Sequence, residues 1–418
     1  MPKIKPNYYD NKSMNLPRLI YRNLLKELNG ISADSHGDRL SVLERFIDTV
    51  VSSHGSGEFV RLKLVIPDFL KESLDDSEIE FLENSLSPLR RKRNGKLRLL
   101  YPGCSDEFSE ALPFLESVFD STPLQLVSRS DQVFTMGSCF AVNIQKYLTS
   151  KGFTASSLRC AEELNSVFGN ALMLEAMCLS RKDQRQYITD CYRLVLEDGF
   201  SQKIVDEEVR QIDEVQEKIS RSEFLILTLG NTIDAHLPVS FSAIGENMSN
   251  PHVFPRFLHV FQSQRNHAKL MQSVRSLGGT FRLGKITAVK RAIATQFEML
   301  KRLNNKAKVA VTVSPVPINA AIGVDNPTRS GALELDCVSK STLRACVSEA
   351  LIPFAKNDEI MYFPSFEIVR WISSLLPISS FGAEDAGSGH VSSELLEAVY
   401  EFFQVRYCVN EESKLSKS

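Results

Sequence analysis

The sequence lacks the features that direct a chain to a membrane, to secretion or to nucleic acid. No apolar run approaches the ~20 residues that a transmembrane helix needs. Residues 1–15 are polar and contain no apolar core of a signal peptide, and the formal net charge of −2 gives no global attraction to nucleic acid or anionic lipid. We therefore expect a cytoplasmic protein with no membrane span and no nucleic-acid partner.

Cysteine is present, but not in a pattern that binds a metal or builds a disulfide framework. The eight cysteines include no C-x-x-C pair, and none clusters with histidine at the spacing of a zinc site. The scatter predicts reduced, mostly buried thiols, as in cytosolic proteins. We expect neither a metal ion nor a cofactor.

The chain divides into two compositional blocks and a polar tail. Residues 1–125 contain helical patterns but no chemical motif, and we interpret them as a mainly helical N-terminal extension that shapes a substrate site or binds a protein partner. In residues 126–408, helices alternate with short apolar strands, and residues 409–418 form the tail. This alternation predicts right-handed βαβ units, an open parallel sheet and an α/β fold.

The second block contains five predicted strands and six predicted helices. The strands are 133–136, 153–158, 224–229, 309–313 and 360–363. The helices are 140–150, 171–179, 206–220, 286–303, 341–351 and 392–404.

Polar residues follow several of these strands, where a doubly wound sheet places its ligand site. They are Gly137-Ser138 after the first strand, Gly169-Asn170 in the loop after the second, Gly230-Asn231-Thr232 after the third, and Asp385 and His390 before the last helix. Packing alone does not require these residue types on one edge of a sheet. Their arrangement predicts a reaction centre.

Acyl transfer needs a hydroxyl, a base, a group that orients the base, and donors for an oxyanion. Ser138 can be the hydroxyl, His390 the base and Asp385 the orienting acid. The main-chain N–H groups of Ser138 and Gly169 can be oxyanion donors, together with a side chain from segment 231–232. The G-x-S-x-G elbow of the α/β-hydrolases is absent.

Each of these residues also has a structural interpretation. Ser138 can cap the helix that follows it, Asp385 can be a solvated loop acid, and Asn231 and Thr232 can be turn residues. A packed position is expected for Cys139. Asp234 and His236 can line the pocket, and Lys340 and Arg344 can contact polar or anionic substrate groups. Surface positions are the default expectation for all four.

Five ordered stretches of the sequence resemble the GSCFA domain family. Residues 136–141 contain the string Gly-Ser-Cys-Phe-Ala itself. The other stretches are 227–230, 312–317 with 339–345, 362–369, and 390–392. Five matches in order are far more specific than any one of them alone.

The resemblance implies a branch of the SGNH (GDSL-like) hydrolases and transferases with a flavodoxin-like three-layer αβα sandwich. It implies Ser138 as nucleophile and His390 as base, with Gly137, Gly169-Asn170 and the Gly230 loop at the oxyanion and substrate site. The sequence departs from the SGNH pattern at Gly387, where an aspartate three residues before the histidine is usual. Gly230-Asn231-Thr232-Ile233 also replaces the usual G-x-N-D.

These observations predict a serine-dependent ester hydrolase or O-acyltransferase that forms an acyl-enzyme on Ser138. A small-molecule ester, plausibly of a carbohydrate or glycoconjugate, is the expected substrate. The alternative is a non-catalytic ligand-binding or assembly protein that retains an SGNH-like cleft.

Overall fold

The computed structural model describes residues 18–32, 35–54, 70, 72–86, 111–137, 139–160, 165–196, 201–256, 264–318, 324–325, 331–354, 358–376, 378–382 and 389–409. Contacts divide the chain into two compact units, one from residues 1–108 and 113–120 and the other from residues 109–112 and 121–418. The predicted boundary near residue 125 stays a prediction. Residues 410–418 of the predicted tail lie outside the described residues.

The regular secondary structure in the described part of the first unit is helical. It contains α1 (Arg18–Asn29), α2 (His36–His54) and α3 (Asp76–Leu86). These helices bury a shared aliphatic core that includes Leu28 and Leu43, both fully buried. The prediction of a mainly helical N-terminal extension is confirmed for these residues.

A buried ion pair joins α2 to the start of α3. Arg39 donates from Nε to Glu78 Oε1 at 2.7 Å and from Nη2 to the carbonyl of Ser73 at 2.9 Å. The carboxylate of Asp75 accepts the N–H of Glu78, and the carboxylate of Glu78 accepts the N–H of Asp75. This reciprocal pair is a capping box, which satisfies two donors at the N-terminus of α3.

The described part of the second unit contains seven strands. They are β1 (Gln132–Gly137), β2 (Thr154–Arg159), β3 (Phe224–Leu229), β4 (Ile233–His236), β5 (Thr280–Leu283), β6 (Lys308–Val313) and β7 (Ile360–Tyr362). Five of them form a parallel sheet in the order β2-β1-β3-β6-β7, whereas β4 and β5 form a separate antiparallel pair. Counted among themselves, the parallel strands have the order 2-1-3-4-5 of flavodoxin-like sheets. The predicted fold class is confirmed.

The remaining helices follow in chain order. They are α4 (Ala111–Val118), α5 (Cys139–Ser150), α6 (Val167–Met177), α7 (Arg181–Leu196), α8 (Gln202–Arg221), α9 (Gln264–Ser276), α10 (Ile286–Leu303), α11 (Ala332–Ala350), α12 (Ser365–Glu367) and α13 (Ser393–Tyr407).

Helices cover both faces of the parallel sheet. On one face, alternate residues of β3 such as Leu225 and Leu227 belong to a large apolar cluster with side chains of α6, α8 and α10. On the other face, Phe224 packs against Phe403 and Tyr407 of α13. Burial on both faces explains why β3 is a continuous apolar run, and it makes the unit a three-layer sandwich.

Three helices begin at least four residues earlier than the sequence pattern predicts, and one of them is α8, which starts at Gln202 rather than 206. Helix α6 starts at Val167 rather than 171, because Ser166 caps it by accepting the N–H of Gly169 at 2.9 Å. The predicted loop position of Gly169 and Asn170 is therefore wrong, since both lie in the first turn of α6. Helix α11 starts at Ala332 rather than 341, and its first turns contain buried polar residues that conceal the amphipathic period.

Gly137 allows β1 to end in contact with β3. Its φ is +145°, and a Cβ at this position would lie 2.7 Å from both Cβ and the carbonyl oxygen of Thr228. Gly137→Ala should lower the free energy of unfolding by about 3 kcal/mol, because it adds a main-chain clash to backbone strain. Denaturant unfolding measures the loss.

Gly152→Ala is the matched control for Gly137→Ala. Gly152 also has a positive φ of +86°, but the nearest atom to its added Cβ is 4.0 Å away. Backbone strain alone should cost about 1–2 kcal/mol there. Equal losses in the two variants would contradict the importance of the close contact with Thr228.

Candidate functional site

The predicted site segments after β1 and β3 lie at the switch point of the sheet. In a 2-1-3-4-5 sheet this point is the gap between β1 and β3, where ligands bind beyond the carboxyl ends of the strands. Met136 pairs with Leu227, so Gly137 lies beside Thr228, and Gly230 follows directly after β3. The sheet therefore brings together Gly137 and the Gly230 loop, as predicted for parallel strands.

The start of α6 and the loop after β3 are joined through their main chains. The N–H of Asn231 donates to the carbonyl of Asn165 at 3.0 Å, and the N–H of Val167 donates to the carbonyl of Asn231 at 2.9 Å. A Cβ at Gly230 would lie 2.4 Å from the Asn165 carbonyl oxygen. The main chain at position 230 passes so close to the main chain at Asn165 that only glycine fits there. We call this close contact the crossing.

Asn165 is a residue of this region that the sequence reasoning missed. It is fully buried, donates from Nδ2 to the carbonyl of Thr228 at 3.0 Å, and accepts at Oδ1 from Nδ2 of Asn170 at 2.9 Å. Asn165 thus ties the end of β3 to the first turn of α6. The local signal that could have found it is Ser166, a helix-capping residue three positions before Gly169.

Helix α11 holds the Gly230 loop from its other side. Ser339 Oγ accepts the N–H of Thr232 at 2.9 Å and its Oγ1–H at 3.2 Å. Lys340 donates from Nζ to the carbonyl of Gly230 at 2.5 Å and is only 1% exposed. The expected surface position of Lys340 is therefore wrong. Arg344, one turn further along, is half-buried and forms an ion pair with Glu367.

Asp234 belongs to a buried charged cluster rather than to the surface. Arg256 donates from Nε to Asp234 Oδ1 at 2.6 Å and from Nη2 to the carbonyl of Ile233 at 2.8 Å. The hydroxyl of Ser166 donates to Asp234 Oδ2. The expected surface position is wrong because Arg256 supplies a partner from 22 residues away, which no local pattern reveals.

Four of the predicted oxyanion and substrate residues are buried and internally bonded, namely Gly169, Asn170, Asn231 and Thr232. The N–H of Gly169 donates to the Ser166 hydroxyl, and that of Asn170 donates to the Ser166 carbonyl at 3.0 Å. Asn231 Oδ1 accepts from the N–H of Ile233 at 2.9 Å. In this arrangement the four residues build the sheet edge, and their contact with a substrate stays a prediction.

The predicted catalytic residues are only partly described. Ser138 and Asp385 lie outside the described residues. His390 is exposed, and its carbonyl accepts the N–H of Gly382 at 3.2 Å. Two residues later Ser392 caps α13 by accepting the N–H of Leu395 at 3.3 Å. His390 is therefore held just before the helix, as the sequence predicted.

A cavity of about 620 Å³ lies between α5 and α13. Its polar and aromatic lining residues are Cys139, Asn143, Lys146, Tyr147, Arg159, His390, Ser393, Glu397 and Tyr400. Cys139 directly follows Ser138 in the sequence and is half-buried. The predicted base and the neighbour of the predicted nucleophile thus line the same cavity.

Two buried hydroxyls near this end of the sheet have no hydrogen-bond partner among the described residues. One is Tyr400, which is 4% exposed, lines the cavity and packs its ring against Phe140 and Tyr147. Burial raises the pKa of Tyr400 well above its usual value, and the nearby Cys139 thiol adds to the shift, so the hydroxyl remains a neutral donor. The other is Thr228 Oγ1, beside Gly137.

Within the described ranges, no group of three or more His, Cys, Asp or Glu side chains could hold a metal ion. None of the helices in those ranges is long and apolar enough to cross a membrane.

The Asp234–Arg256 pair should matter far more for stability than exposed pairs do. Arg256→Leu leaves the carboxylate of Asp234 buried without its cation, which should lower the free energy of unfolding by about 3–5 kcal/mol. Arg210→Leu is the control, because Arg210 pairs with Glu207 and Glu214 on an exposed helix surface, where solvent screens the charges and the loss of stability should be small. Chemical denaturation of both variants tests the difference, and similar losses would contradict it.

His236, at the end of β4, should make stability depend on pH. It is half-buried, packs edge-on against Phe168, and its Nε2 has no hydrogen-bond partner among the described residues. Burial lowers its pKa from the usual 6.5, an effect that Asp234 partly opposes. Since the unfolded chain takes up this proton more readily, the contribution to stability is present above about pH 6.5 and lost as the pH falls below it.

His236→Phe keeps the ring contact and removes the titration. Its free energy of unfolding should fall less than that of the wild type between about pH 7.5 and 5.5. Identical slopes for wild type and His236→Phe would show that protonation of His236 is not coupled to folding.

Comparison with known proteins identifies the family of the chain. No curated protein sequence matches it. The model of the GSCFA family matches residues 132–403, which is more than half of the chain and runs from β1 into α13. The matched region includes Gly137, the Gly230 loop and His390. The chain therefore belongs to the GSCFA family.

Proposed function

We propose that this chain is a serine-dependent ester hydrolase or O-acyltransferase of the SGNH (GDSL-like) type, with an acyl-enzyme on Ser138. The observation that carries the proposal is the shared cavity of Cys139 and His390. Cys139 is the residue after Ser138 in the sequence, and in the proposal the Ser138 hydroxyl faces the same space as the His390 imidazole. A nucleophile and a base must share such a space for proton transfer.

In the proposed reaction, Ser138 Oγ attacks the acyl carbonyl carbon while His390 takes the hydroxyl proton. The oxyanion forms at the N-terminus of α5, where the first N–H groups of a helix lack acceptors within the helix and the helix dipole is positive. His390 then gives the proton to the leaving alcohol. Water or a second alcohol attacks the acyl-enzyme in the same way and frees Ser138.

In the proposed mechanism, the residues around the Gly230 loop hold the loop in one conformation. Asn165, Ser339 and Lys340 fix the loop through buried hydrogen bonds. A rigid surrounding shell keeps reacting groups within the narrow geometry that acyl transfer needs. Asp385 is the proposed orienting acid for His390.

The setting and partners of the protein belong to the same proposal. The proposed substrate is a small-molecule ester. A carbohydrate ester is the more specific proposal. The seven described cysteines are all free thiols, which supports a cytoplasmic location. We also propose that residues 1–125 bind a protein partner. The described helices of the first unit share a core of their own, which can support a binding surface.

The second candidate is a binding protein that keeps the cleft without the reaction. Two observations favour it. Gly387 stands where SGNH enzymes usually have the orienting aspartate. The N–H of Gly169, a predicted oxyanion donor, already has an acceptor in Ser166.

A fluorophosphonate probe distinguishes the two candidates, because it labels only an activated serine. We expect labelling of the wild type, none of Ser138→Ala, and at least tenfold slower labelling of His390→Gln, since loss of a general base typically costs about 10²–10⁴ in rate. Hydrolysis of a panel of acetyl and longer-chain esters should follow the same order.

Ser150→Ala and His252→Gln are the matched controls. Ser150 ends the same helix α5 and bonds to the carbonyl of Tyr147, and His252 is exposed. Both variants should label like the wild type. Labelling of Ser138→Ala at the wild-type rate, or no labelling of the wild type, would exclude the enzyme and favour the binding protein.

A further inference from the structure

The cavity between α5 and α13 contains more positive than negative side chains. Lys146 comes from α5 and Arg159 from the end of β2, whereas Glu397 of α13 is the one carboxylate in the lining. Neither Lys146 nor Arg159 forms an ion pair with a described residue. Such a lining attracts an anion.

The hydroxyl of Tyr400 gives a second, independent indication of a ligand. It is buried in the lining of the same cavity and has no hydrogen-bond partner among the described residues. A buried polar group without a partner lowers stability, so such groups are rare in folded proteins and call for an explanation. A ligand oxygen in the cavity would provide the missing acceptor.

We propose that this cavity binds a phosphate group carried by the ester substrate, with charge from Lys146 and Arg159 and a hydrogen bond from Tyr400. The inference deepens the proposed function, because the phosphate would belong to the molecule whose acyl group Ser138 accepts. Three donors on β2, α5 and α13 suit the three terminal oxygens of a phosphate monoester. Cys139, the residue after Ser138 in the sequence, belongs to the same lining.

Binding is measured on the full chain carrying Ser138→Ala, so that no reaction is needed. Isothermal titration calorimetry with inorganic phosphate and glucose 6-phosphate, against glucose, gives the affinities. We expect both phosphates to bind and glucose not to bind. Higher ionic strength should weaken the binding of the phosphates, because the cationic side chains are exposed.

Charge variants locate the site. Lys146→Gln and Arg159→Gln should each weaken phosphate binding by roughly three- to tenfold, whereas Glu397→Gln should strengthen it by about twofold. Lys203→Gln is the control, because Lys203 is an exposed cation on α8 that does not line the cavity. Unchanged affinities in all three cavity variants would overturn the proposal.

Tyr400→Phe separates a ligand contact from a structural role. The variant removes a hydroxyl without a described partner, so its melting temperature should equal or exceed that of the wild type, while phosphate binding weakens roughly three- to tenfold. A lower melting temperature with unchanged phosphate binding would assign the hydroxyl to folding and overturn its place in the site.

The test of the phosphate site and the test of the esterase proposal can fail independently. Fluorophosphonate labelling of Ser138 with no phosphate binding would overturn the anion site and leave the esterase proposal standing. Phosphate binding that depends on Lys146 and Arg159 in a chain that does not label would support the anion site, now as that of a binding protein.

Discussion

The crossing of main chains at Gly230 and Asn165 is the constraint on which the candidate site depends. The carbonyl oxygen of Asn165 lies only 2.4 Å from where a Cβ at position 230 would be. Because β3 ends just before Gly230 and α6 begins just after Asn165, the crossing fixes the position of the end of β3 relative to the start of α6. A similar contact of Gly137 with Thr228 sets the start of α5. The sheet edge is therefore defined by main-chain packing at two glycines, before any side-chain chemistry is considered.

Three buried charged residues next to this sheet edge hold the conformation of the loop after β3. Asp234, Arg256 and Lys340 are all 4% exposed or less. Burying charges costs several kcal/mol per ion, and apolar replacements of similar shape are often as stable. An apolar side chain, however, cannot donate to the carbonyl of Gly230 as Lys340 does. The ionic network is best explained by the loop conformation that it holds.

The sequence predicted the fold well and the surroundings of the site poorly, for a physical reason. Burial on one side or on both produces periodic or continuous apolar runs, so helix α10 was predicted at its observed bounds and all five parallel strands were found. Helix α6 is buried on nearly every side and has no such period, and its start depends on the single cap at Ser166. The Asp234–Arg256 pair joins residues far apart in the chain, and this kind of contact leaves no local pattern.

Two buried hydroxyls without a partner among the described residues, those of Thr228 and Tyr400, lie near the candidate site. Thr228 contacts Gly137, the residue before Ser138, and Tyr400 shares a cavity lining with Cys139, the residue after it. Stability alone favours valine over threonine and phenylalanine over tyrosine where a buried hydroxyl has no partner. The two hydroxyls are therefore the groups in the described residues that best fit a contact with a polar ligand. Since burial keeps the Tyr400 hydroxyl neutral by raising its pKa, this hydroxyl can donate a hydrogen bond to the phosphate group that we propose for the cavity.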